Sequence, residues 1–267
     1  MKFYISYFKL RFITGLQYRA AALAGLSTQF FFGIIFAMVY IAFYESNDVN
    51  APMQLTELVS YLWLNQVFFS LINMFYKDKE IINMIKSGNI AYELARPKRL
   101  YFMWFSKILG SRVSMVILRS LPILIIAFIL PKPYNLSLPV SIDAFLMFLF
   151  TLIIGTLLMT SLITLYHVIV LNTLDEKGIA NIFSAVADIL SGVTVPIPFF
   201  PSFLKVVANI LPFRYVSDLS FRIYSGNVSI NEGLQGIIIQ IIWIIITTLI
   251  GYLLTKKSLK RVVVQGG

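Results

Sequence analysis

The chain contains no cysteine, which excludes a disulfide framework and any thiolate metal site and leaves its redox compartment unspecified. Histidine is nearly absent too: His167 stands alone, too few for a multi-histidine metal centre. Charged residues make up only 13% of the chain, about half the usage of ordinary soluble domains. No G-x-x-x-x-G-K-[ST] segment is present, so the chain cannot cradle a nucleotide's phosphates by itself, and the H-E-x-x-H and G-x-S-x-G hydrolase signatures are missing. A nucleophile and base would have to be assembled from His167 and scattered serines. The chain is therefore read as no enzyme, with no cofactor and no metal expected on it.

What it has in excess is hydrophobic surface, 58% of 267 residues, with a mean hydropathy of +0.83. Six apolar runs are long enough to cross a hydrocarbon core of about 30 Å at about 1.5 Å per helical residue. They cover Ala20 to Tyr44, Leu58 to Tyr76, Phe105 to Leu130, Phe145 to Leu171, Ile179 to Val195 and Gly233 to Leu254. The expected fold is an all-α polytopic membrane protein, one domain over 20–254 with an N-terminal segment 1–19 and a basic tail 255–267. The stretch before the first run has lysines and arginines spread along it, and the run itself is too long for a signal h-region, so no cleavable signal peptide is expected.

The net charge of +10 is distributed by position. Fifteen of the 22 lysines and arginines fall in the N-terminus, Lys77 to Trp104, Asn172 to Gly178 and the C-terminus, whereas the alternate gaps hold only Lys132, Lys205, Arg214 and Arg222. That bias places both termini in the cytoplasm. Because the charge lies beside apolar spans and not on a soluble face, nucleic acid is excluded as a partner.

Tyr4, Phe8, Phe12 and Leu16 recur every four residues beside Lys2 and Lys9, which fits either a helix lying along the inner leaflet or a cytoplasmic extension of the first span. Lys77 to Trp104 is too apolar for a solvated loop. Gly88 interrupts it and Pro97 ends it, so a short helix across the cytoplasmic face is expected. Between the fifth and sixth runs, Pro196, Pro198 and Pro201 are expected to stop the fifth span, and the apolar stretch Phe203 to Phe213 to dip back into the membrane or cap its outer face. Beyond Pro212, Arg214, Asp218 and Arg222 stand four apart, a ladder on one helical face that is most simply a solvated ion-pair row.

Ionisable groups inside spans are costly, about 2.5–3.5 kcal/mol each at the bilayer centre. Asp188 in the fifth run and Arg119 in the third are the clear cases, with Arg112 two turns nearer the cytoplasm and able to snorkel. The plain reading is a structural pair of Asp188 with Arg119 or Arg112, the sharper one a polar site on a transport path. His167 is expected to hydrogen-bond a neighbouring helix. Gly155, Thr156, Thr160, Ser161 and Thr164, and Ser184, Ala187, Ser191 and Thr194, give the fourth and fifth runs close-packing faces.

Taken together, six spans, an N-terminal interfacial helix, a cytoplasmic helix between spans two and three and an apolar outer hairpin within 196–226 resemble the permease subunits of ABC-2 type transporters. The stretches Ser87-Gly88-Asn89-Ile90-Ala91-Tyr92-Glu93-Leu94-Ala95-Arg96-Pro97 and Phe200-Pro201 through Leu211-Pro212-Phe213-Arg214-Tyr215 to Ile223-Tyr224-Ser225-Gly226 look like the antibiotic- and drug-export branch. The resemblance implies an exporter in a bacterial cytoplasmic membrane, paired with a second permease, identical or homologous, and with two copies of a separate ATPase that carries ATP and Mg. It implies that the helix within 77–104 couples to that ATPase through Gly88, Tyr92, Glu93, Arg96 and Pro97, with Glu93 and Arg96 as its polar contacts. It implies also that Pro196, Pro198, Pro201, Pro212, Arg214, Asp218 and Arg222 belong to an outer gate. An ion-coupled secondary transporter, supported by Asp188 alone, and a non-transporting assembly subunit are the rival readings.

Overall fold

The structure, a computed structural model, describes residues 2–17, 19–46, 51–73, 77–90, 93 and 98–260, and of residues 19–23 the backbone alone. The described residues form eleven α-helices and two 3₁₀ turns. The helices are α1 (Lys2–Leu16), α2 (Arg19–Ser46), α3 (Leu55–Val67), α4 (Phe69–Ile72), α5 (Lys79–Lys86), α6 (Leu100–Ile129), α7 (Ile142–Thr173), α8 (Glu176–Leu190), α9 (Ser202–Ile210), α10 (Asp218–Ser225) and α11 (Ile230–Leu259). The 3₁₀ turns are Ile197–Phe199 and Phe213–Val216.

Four helices, α2, α6, α7 and α11, are both long enough and apolar enough to cross a membrane. Their outer faces stay apolar, with Phe31, Leu121, Ile153 and Ile245 exposed, as helices in lipid require. The other two expected spans are shorter. The second is split at Phe68 into α3 and α4, and the last carbonyls before the chain leaves α4 are taken by Arg112 of α6: Nη1 donates to Leu71 O at 2.6 Å and Nη2 to Asn73 O at 2.6 Å. A helix C-terminus with orphan carbonyls is satisfied there by a buried guanidinium. Arg112 thus neither snorkels nor pairs with Asp188.

The fifth expected span stops at Leu190, six residues before Pro196. The prolines do not end it. The chain turns at Gly192, whose φ of +79° is natural only to glycine, and Gly192 O accepts the hydroxyl of Tyr61 on α3 at 3.0 Å.

Two ends of the bundle can be told apart. The basic end carries α1, α5 and the termini of α4, α7 and α11. At this end α1 lies along the first half of α6, close enough that a Cβ on Gly110 would stand 2.6 Å from Phe8 O. The far end carries residues 51–54 before α3, the loop after α6 and the segment from Ile197 to Gly226. There α9 descends and α10 returns. Val216 O presses on Gly155 of α7, and Gln240 of α11 donates to Tyr215 O at 2.7 Å and to Thr151 O at 3.1 Å. At about 1.5 Å per residue, those positions put the 3₁₀ turn about 15–20 Å inward from the starts of α11 and α7. α10 is buried along nearly its whole length, with Phe221 stacked on Phe68 at 6.0 Å and edge-on to Tyr61 at 5.8 Å.

Candidate functional site

At the basic end the groups converge on α5. Asp78 caps that helix, accepting from the backbone N–H of Glu80 at 3.0 Å and of Ile81 at 3.1 Å. The same carboxylate lies 3.0 Å from the ammonium of Lys107 on α6, a lysine only 1% exposed, whose second partner is Glu80 at 2.9 Å. Arg11 of α1 meets the same Glu80 oxygen at 2.7 Å and the other at 2.8 Å. Asp78 N–H donates to His167 Nε2 at 3.2 Å, while His167 Nδ1 faces Ile163 O at 2.8 Å, which fixes the neutral tautomer with its proton on Nδ1. Glu176 at the start of α8 pairs with Lys86 and Lys77. Four helices, α1, α6, α7 and α8, therefore hold one short amphipathic helix. Ile81, Ile82 and Ile85 are buried, while Lys79, Asn83, Lys86 and the turn Ser87 to Asn89 are exposed.

Two carboxylates here are shifted. Burial raises Glu80, but the ion pairs with Arg11 and Lys107 outweigh it and leave the group below the usual carboxylate range. Glu176 is lowered by its hydrogen bond from Lys86, against a smaller effect of burial.

Of the expected coupling residues, Gly88 sits at the exposed turn after α5 with φ +72°. Glu93 is turned inward: it is buried and accepts the indole N–H of Trp104 at 2.9 Å. Tyr92, Arg96 and Pro97 lie outside the described residues. Asp188 is half-buried on α8, and among the described residues no ion pair joins it to Arg119 or Arg112. Arg119 instead lies against α2, where a Cβ on Gly25 would stand 2.7 Å from its guanidinium carbon.

At the far end, the Arg214, Asp218, Arg222 ladder is not a solvated row. Asp218 is fully buried; its Oδ1 lies 3.0 Å from the Tyr61 hydroxyl, sharing that group's one proton with Gly192 O, and Arg214 and Arg222 approach Oδ2 to 3.6 and 3.7 Å. Spacing alone could not reveal Tyr61, 157 residues away. Pro196, Pro198 and Pro212 are buried in the turns around this group, and Pro201 caps α9 from an exposed position. Between the hairpin and α11 lies a cavity of about 630 Å³, lined among others by Pro198, Arg214 and Arg222.

Sequence reading passed over Asp78, Lys107, Tyr61 and Gln240. Lys107 and Gln240 carried a signal, a polar side chain inside an apolar run. Asp78 and Tyr61 carried none.

Compared with known families, the chain matches the model of the ABC-2 type transporter over residues 7–224, from within α1 to within α10. No curated protein and no solved structure matches it.

Proposed function

The chain belongs to the ABC-2 type transporter family, and from that membership we propose that it is the transmembrane permease of an ATP-driven exporter, working with a separate ATPase in two copies and with a second permease, identical or homologous. It is a transport permease component by family and a multi-pass membrane protein by its four long apolar helices. In this reading α3 with α4, and α8, complete six spans, the basic end faces the cytoplasm of a bacterium, and the α9 to α10 hairpin is re-entrant from outside. The cargo is an amphipathic molecule, of drug, antibiotic, peptide or lipid-like type, and ATP and Mg are bound by the partner.

The observation that carries the reading is the way α5 is held. Its apolar face and cap are fastened to α6 and α7 through Lys107 and His167, while its polar strip and the turn at Gly88 face outward. A short helix so fixed moves with the spans beneath it, which is what transmission of an ATPase's closure to a transport path requires. Differential contact in two states does the rest.

Purification in gentle detergent from the native membrane tests this. A roughly stoichiometric ATPase should accompany the chain and be lost when residues 86–90 are replaced by a Gly/Ser linker, with membrane insertion intact. Substrate flux by the isolated chain without any ATPase would replace the exporter reading with an ion-coupled one, and would make Asp188 the next residue to substitute.

A further inference from the structure

The far-end cavity carries more charge chemistry than packing needs. Lys205 and Asn209 project from α9, Arg214 and Arg222 from the returning arm, and Glu232 and Gln235 from α11. The guanidinium groups share one oxygen, Asp218 Oδ2, at 3.6 and 3.7 Å, longer than the roughly 2.7–2.9 Å of a charge-assisted hydrogen bond. Arg214 Nε is buried without a hydrogen-bond partner, and Arg222 spends its Nε on Asn227 at 2.8 Å. Each arginine has five N–H donors, so most of this donor set is unspent. Glu232 is engaged in the Ser229 cap of α11. Three cations against two carboxylates, Asp218 and Glu232, leave one positive charge in excess.

The surroundings say what kind of anion fits. The cavity lies between helices whose outer faces are apolar and exposed, with Phe203 and Val206 on α9 and Leu234 and Ile238 on α11. Trp243 donates its indole N–H to Ile210 O at the foot of α9. A charged pocket with apolar surfaces on both flanks suits a molecule with one charged end and apolar chains.

We propose that this cavity binds the phosphate of an anionic amphiphile, a phosphodiester monoanion with apolar chains. Arg214 and Arg222 clamp its oxygens, Lys205 closes the clamp from α9, and the chains lie along α9 and α11. The site goes beyond the permease reading, since it stands whether the occupant is a resident lipid or cargo.

Native mass spectrometry of the full-length chain tests the site. Detergent-solubilised protein would be titrated with phosphatidylglycerol, with phosphatidylcholine and, separately, with glycerol phosphate. One phosphatidylglycerol should be retained roughly tenfold better than phosphatidylcholine, which offers the same phosphodiester oxygens but brings a choline cation against the cavity's excess positive charge. Lys205→Gln, on a half-exposed side chain whose loss leaves the core intact, and Arg214→Gln should erase that preference, Arg214→Lys should keep part of it, and Glu232→Gln should increase it. Equal retention of the two lipids, or a preference untouched by Lys205→Gln and Arg214→Gln together, overturns the site. Glycerol phosphate binding as well as the lipid, with the same response to the variants, overturns the role of the apolar chains. These outcomes are independent of whether an ATPase co-purifies.

Discussion

At the scale of single residues, Lys107 is a buried charge held from two sides. It is 1% exposed, and its carboxylate partners, Asp78 and Glu80, also fix α5. Removing one member of a buried pair costs about 3–5 kcal/mol because the other charge is left uncompensated. Asp78 keeps its two backbone donors, so Lys107→Met should fall at the lower end of that range. The expected outcome is a clearly lowered thermal midpoint, with part of the loss recovered when Asp78→Asn is added. Two substitutions whose effects simply add would show that the pair is not coupled. Residues of this kind were only half legible in the sequence. A lysine one turn inside an apolar run announces itself, but whether it snorkels outward or turns inward depends on Asp78, whose place beside it is set by the packing of α5 on α6 and α7.

At the scale of elements, the hairpin of α9 and α10 depends on close backbone approach. Gly155 meets the carbonyl of Val216, so Gly155→Ala forces the turn off α7. Backbone cannot give way as a side-chain tip can, and overpacking of this kind costs about 1–3 kcal/mol. A reduced thermal midpoint and easier proteolysis within 196–226 should follow, whereas wild-type resistance would mean that the turn does not rest on α7. The glycine was visible in the sequence as part of a small-residue face, but such faces usually meet another helix, and here it meets a 3₁₀ turn. The helix ends were legible in the long runs and misread in the short ones. α8 stops at a glycine turn bonded to Tyr61 and not at the prolines beyond it; Gly192 is a local stop signal, and what no local signal encodes is the contact with Tyr61.

At the scale of the whole molecule, the apolar runs made an all-α, multi-pass membrane protein legible from the start, because hydrocarbon solvent leaves few alternatives to helices, although among the described residues only four helices are long and apolar enough to cross. What the sequence did not show is that the basic end is tied together by charge. Glu80 and Glu176 both sit below the ordinary carboxylate range in the folded chain. A depressed folded value contributes stability that is fully present above the ordinary value of about 4.3 and is lost as pH falls through the depressed one. The ties of α5 to α1 and α8 should therefore hold from neutral pH to about pH 5 and loosen in stronger acid. A chain without cysteine accepts spin labels at Ser6→Cys and Asn83→Cys directly, and a widening distance between them below about pH 4 is expected. An unchanged distance there, with the helices intact, would assign the closure of this end to apolar packing alone. The deep turn at Tyr215 has a further consequence, for the order in which the protein is made. Its carbonyl accepts from Gln240, which leaves the ribosome 25 residues later, so that tie can form only after most of the hairpin's other neighbours are already made. Chains halted before Gln240 should keep the turn's seat on Gly155 but be cut faster by protease within 196–226 than the full chain, and equal resistance would show that the late tie adds nothing.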